Sequence, residues 1–130
     1  MKMMDNDQSE EIAIREIPQN NCVVLEIRGE VDLQSCSQLE QVLRRWIEGG
    51  QRHLVLDMAG VPYVDSSALG VLVNSQRLVQ DAQGRIYLAR LTPFVERAFE
   101  ITRLIRLFPM FDSVEEAVQF VDTREAEKAE

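Results

Sequence analysis

The sequence predicts a single α/β domain: a mainly parallel mixed β-sheet with an N-terminal antiparallel hairpin and about four helices packed against it. Three observations carry this prediction. Short apolar runs alternate with segments of helical periodicity in the order β-β-α-β-α-β-α-β-α, and strands separated by helices call for crossover connections and a parallel sheet. The first two runs are joined by turn residues alone, which is a hairpin signal. The chain has 130 residues, 45% of them hydrophobic and 28% charged, enough for one domain with its own core.

Residues 1–10 read as a flexible polar lead-in, 11–122 as the domain and 123–130 as a charged, fraying tail. Ile12 and Ile14 alternate with polar or small neighbours, giving a first strand that ends near Pro18. Gln19-Asn20-Asn21 is turn chemistry, and Cys22 to Arg28 is the second strand. Gly29-Glu30-Val31-Asp32 breaks that strand, and Asp32 or Ser35 can cap the first helix. In that helix Leu39, Val42, Leu43, Trp46 and Ile47 lie at i, i+3, i+4, i+7 and i+8, an amphipathic pattern with Trp46 as a core anchor, stopped by Gly49-Gly50.

Arg52 to Asp57 has the continuous apolar centre of a strand covered on both faces. His53, at its start, reads as a bland edge residue. A helix from about Ser66 to Gln80 is apolar nearly all round in its first half, so it is expected to be deeply packed. Gly70 in its interior costs about 1 kcal/mol relative to alanine, which suggests close approach to a neighbouring strand. Arg85 to Arg90 is the fourth strand, and Thr92-Pro93 opens the next helix. Leu104 to Phe108 reads as a short last strand closed by Pro109, and Ser113 with Glu116 opens the final helix through Val121.

Composition narrows the function. Fourteen basic against 22 acidic residues leave a net charge of −8, and no basic stripe is present to meet nucleic-acid phosphates. A protein partner with a basic face suits this balance better. Cys22 and Cys36 have no metal-ligand spacing and, with His53 the single histidine, cannot make a Cys/His zinc site. Both read as reduced. No apolar run reaches membrane-spanning length, and the acidic start is not a signal peptide, so no membrane insertion is expected and the chain is placed in the cytoplasm.

The stretch Leu54 to Leu72 is where chemistry concentrates. A strand feeds a helix through a loop ending in Asp65-Ser66-Ser67, which sets two hydroxyls and a carboxylate at the positive end of a helix. A hydrolytic triad lacks both a Gly-x-Ser-x-Gly elbow and a histidine other than His53. A nucleotide site lacks a Gly-rich cradle and its lysine. A third reading makes the turn a substrate, because a phosphoserine at a helix start is met by free N–H groups. A plain helix cap is the bland alternative.

Gly29-Glu30-Val31-Asp32, Leu54-Val55-Leu56-Asp57 and Val64-Asp65-Ser66-Ser67-Ala68-Leu69-Gly70 together resemble the STAS domain family. Within it they look like the bacterial anti-sigma factor antagonists, and the match runs from about Ile12 to Val121. The resemblance implies a STAS fold and a non-enzymatic regulator, without a cofactor of its own, that binds an anti-sigma factor serine kinase. It implies phosphorylation of Ser66 (Ser67 as runner-up), weakening of the complex, and reset by a separate phosphatase. It also implies that Asp32 is the acidic residue near the acceptor, that Asp65 and Ser67 flank it, and that Leu69 and Gly70 belong to the helix beneath. Gly29 and Glu30 fall in the partner-binding loop. Ala68 stands where the family usually has glycine. The rival expectation is a non-phosphorylated STAS scaffold, or a subunit of a stress-signalling or transporter-associated complex.

Overall fold

A computed structural model describes residues 11–129; the lead-in at 1–10 lies outside them. The strands are β1 (Ala13–Pro18), β2 (Val23–Arg28), β3 (His53–Gly60), β4 (Arg85–Ala89) and β5 (Met110–Phe111). The helices are α1 (Cys36–Glu48), α2 (Ser66–Asp81), α3 (Pro93–Ile101) and α4 (Val114–Ala129). The sheet runs β1-β2-β3-β4-β5, with β1 and β2 antiparallel and every later pair parallel.

Strand alternation divides the core in two. Val23, Leu25, Ile27, Leu54, Leu56, Ile86 and Leu88 point to the face covered by α1, α2 and α3. Val24, Val55 and Tyr87, aligned across three strands, point to the other face, where Ala117 and Val121 of α4 close over them. Strand β3 is therefore buried on both sides, as its apolar centre predicts, and it extends three residues past Asp57.

Several expectations need correction. The last strand is not Leu104–Phe108. Arg103 adopts a left-handed conformation, Leu104–Leu107 form a short 3-10 helix, and strand pairing begins only after Pro109. The Pro109 carbonyl accepts the Leu88 N–H at 2.9 Å, and the Phe111 carbonyl accepts that of Arg90 at 3.0 Å. A five-residue segment, apolar except for Arg106, carries no periodicity that separates these outcomes.

Gly70 makes no close approach either. A Cβ there would meet nothing within 4 Å, because the residue faces outward. His53 is buried rather than a bland edge residue: Nδ1 lies 3.0 Å from the Tyr87 hydroxyl and Nε2 2.8 Å from a Glu125 carboxylate oxygen. Glu125 belongs to the segment read as a fraying tail, which is helical to Ala129. Trp46 is only half-buried; it packs against the main core while its indole N–H donates to Glu16 at 2.7 Å. Both cysteines are free thiols.

Candidate functional site

The loops after β2 and β3 are zipped together beyond the end of the regular sheet. Gly29, with φ of +113°, turns the chain in a conformation that L side chains avoid, and its N–H donates to the Gly60 carbonyl at 2.9 Å. Val31 then donates to the Tyr63 carbonyl at 3.1 Å and accepts from the Asp65 N–H at 3.3 Å. Val31 and Val64 form a parallel bridge, both buried, which pins the two loops to the core.

Each loop carries an aspartate whose carboxylate accepts backbone N–H groups: Asp32 holds the turn that leads into α1, and Asp65 caps α2. In the first loop one Asp32 carboxylate oxygen accepts from the N–H groups of Gln34 and Ser35, at 3.0 and 3.1 Å. Ser35 precedes α1 without capping it; its buried hydroxyl donates to the Glu30 carbonyl at 2.8 Å. Asp65 is the N-cap of α2. One of its carboxylate oxygens accepts from the Ala68 N–H at 3.1 Å, and the other accepts from the Leu33 N–H in the neighbouring loop at 3.0 Å. One side chain thus starts the helix and fixes the distance between the loops.

Ser66 is the first residue of α2 and is exposed; Ser67 is half-buried. Among the described residues neither hydroxyl is engaged in a side-chain hydrogen bond. Ala68 is fully buried, so its methyl faces the core and not an approaching partner. Leu69 packs beside it, whereas Gly70 lies on the outer surface. The sequence-predicted residues Gly29, Glu30, Asp32, Asp65, Ser66 and Ser67 therefore gather on one rim, with Ala68 and Leu69 as its floor.

The rim is acidic. Burial raises the Cys36 thiol pKa first, and the charges of Asp65, Glu40 and Asp32 push it further in the same direction. His53 sits at the opposite end of β3, about 23 Å of strand away from the rim, so it cannot act as a base for Ser66. A triad on Ser66 is thereby excluded. Sequence reasoning missed the apolar members of the rim: Leu33, Tyr63 and Phe94 are all exposed. Large apolar side chains in loops, or at a helix start, otherwise rich in polar or turn residues were the available signal.

Fold and site together define a class: a one-domain α/β protein presenting a helix-start serine on a clamped double loop. Residues 12–117 match the model of the STAS domain, and the chain belongs to the STAS domain family. BtrV of Bordetella bronchiseptica, assigned as an anti-sigma factor antagonist, is 32% identical over 91 residues, spanning 70% of this chain and 78% of BtrV. The anti-sigma-B factor antagonist of Staphylococcus aureus is 28% identical over the same length, 70% of this chain and 84% of that protein. The anti-sigma factor antagonist SpoIIAA shares the fold in its unphosphorylated form, with a TM-score of 0.76, 23% identity, and coverage of 85% of this chain and 97% of SpoIIAA. By sequence the chain falls with the anti-sigma factor antagonists, and it shares their fold. Among the described residues no helix is long and apolar enough to cross a membrane.

Proposed function

We propose that this chain is a phospho-switched anti-sigma factor antagonist: it binds an anti-sigma factor that is a serine kinase and is released when Ser66 is phosphorylated. The observation that carries the reading is the state of Ser66, an exposed hydroxyl with no side-chain partner among the described residues, at the first position of a helix whose cap is clamped from two sides. A kinase can reach it without unfolding anything. The Ala68 side chain, turned into the core, leaves that approach open.

The switch arises from charge. The free N–H groups and dipole at the start of α2 favour a phosphoryl group and hold it in place. Asp65 beside it and Asp32 on the adjoining loop make the same rim strongly negative once the dianion is added. A kinase holds its nucleotide's phosphates opposite the acceptor, so phosphoserine would meet like charge there and the complex would loosen. A separate phosphatase would restore the binding form. The partner supplies nucleotide and metal, and this chain supplies the acceptor and the surface around it.

Intact-mass spectrometry tests the assignment. Incubation with ATP, magnesium and an anti-sigma factor kinase from the same cell should add a single phosphate, which peptide mapping should place on Ser66. A phosphate on Ser67 would keep the mechanism and move the site. No phosphate alongside a persistent complex would favour the scaffold reading instead.

A further inference from the structure

Three large apolar side chains stand exposed on the rim that carries Ser66: Leu33 at 74%, Phe94 at 53% and Tyr63 at 39%. Tyr63 and Phe94 stack on one another, ring centroids 5.3 Å apart and planes 30° apart. Hydrogen bonds hold the segments that carry all three at one end of the sheet. The Tyr63 carbonyl accepts from Val31, two residues before Leu33, and the Leu33 N–H is held by Asp65. The Thr92 hydroxyl donates to the Val61 carbonyl at 3.0 Å, which draws the start of α3, with Phe94, against the same loop. The patch therefore spans the loops after β2, β3 and β4, at one end of the sheet.

Acidic side chains surround this patch. Glu30, Asp32 and Asp65 flank Leu33, Glu40 lies one turn along α1, and Glu96 lies in the first turn of α3. Arg97, three residues beyond Phe94 on the same helix face, and Arg28, packed against Gly60, are cations at the same end of the sheet. An apolar centre with a mainly acidic border matches an apolar pocket with a basic border.

We infer that Leu33 and the stacked Tyr63–Phe94 pair are the apolar anchors of the complex, received by an apolar pocket of the anti-sigma factor that is bordered by arginine or lysine side chains. This rests on the proposed antagonist function, and it adds the loop after β4 to the interface. Anchors of this kind dominate affinity when desolvated at an interface centre, and border charges set the association rate. Leu33 and Phe94 are more than half exposed, so truncating them removes contact area without opening the core.

The test is calorimetric titration of the purified chain against each purified anti-sigma factor kinase of the same genome, with association rates measured across salt concentrations. Leu33→Ala and Phe94→Ala should each weaken binding at least about tenfold with the melting temperature unchanged. Glu30→Lys should slow association and flatten its salt dependence. If Phe94→Ala lowers the melting temperature, the more exposed Leu33 decides. If the unsubstituted chain binds none of these kinases, the antagonist reading itself fails. If it binds and Ser66→Asp weakens the complex while Leu33→Ala and Phe94→Ala bind normally, the anchors are wrong and the switch stands. Loss of affinity without any salt dependence would overturn the basic border.

Discussion

Asp65 and Leu33, thirty-two residues apart, are joined by a single hydrogen bond from the Leu33 N–H to the Asp65 carboxylate at 3.0 Å. The other carboxylate oxygen caps α2 through Ala68 at 3.1 Å. A helix cap alone would account for an aspartate here; holding the adjacent loop as well makes it the part that sets the shape of the rim. Asp65→Ala removes both bonds. The cap loss costs about 1 kcal/mol and the loop bond a similar amount, so urea denaturation should show about 2 kcal/mol of destabilisation. Amide exchange should rise at Leu33 and Ala68 together. Faster exchange at Ala68 alone would mean that the inter-loop bond contributes little.

Gly70 offers the opposite experiment. It lies within α2 with open space where a Cβ would stand. Gly70→Ala should therefore stabilise the chain by about 1 kcal/mol, the ordinary helix-propensity difference. A destabilised variant would show that the outer face of α2 is more crowded than its geometry indicates.

The C-terminal helix is fastened to the start of β3 by the hydrogen bond between Glu125 and His53, 2.8 Å long. The His53 hydrogen bond is the main cause that holds the Glu125 carboxyl below its usual range; burial opposes it, and the charges of His53, Lys128 and Arg52 add to the lowering. A folded-state pKa below the unfolded value contributes stability above about pH 4.3, and that contribution is lost as pH falls through the lower folded value. Glu125→Gln should accordingly reduce the difference in urea midpoint between about pH 6 and about pH 3. An unchanged difference would assign the acid sensitivity to other carboxylates, Glu16 with its Arg45 and Trp46 partners foremost.

The two thiols should differ in reactivity. Cys22 is fully buried, and burial followed by the nearby charge of Asp122 pushes its pKa up to about 11. Iodoacetamide at about pH 8 should modify Cys36 in the folded chain and spare Cys22 until denaturant is added. Equal labelling of both would indicate opening of the sheet face beneath α4.

Where a feature depended on local pattern, it was legible in the sequence. The crossover order, the hairpin and the deeply packed first half of α2 come from periodicity and turn residues, and the Asp-Ser-Ser turn marked the helix start on which the site stands. The features that escaped depend on residues far apart in the chain. His53 finds Glu125 seventy-two positions away, and Asp65 finds Leu33 in another loop. The run Leu104–Phe108 is apolar enough for a strand, yet the left-handed Arg103 before it and the pairing that starts after Pro109 shift the strand to Met110–Phe111. Gly70 misled because a glycine inside a helix has more than one physical cause.

The central claim is that phosphate on Ser66 releases the partner. Its most direct test is the dissociation constant of the complex with the anti-sigma factor kinase, measured for the unphosphorylated and the Ser66-phosphorylated chain side by side. The account predicts binding at least about tenfold weaker for the phosphorylated form, a difference of about 1.4 kcal/mol or more, with Ser66→Ala binding like the unphosphorylated chain. Equal affinity of the two forms would contradict it and leave the chain as an assembly component whose serine does not switch.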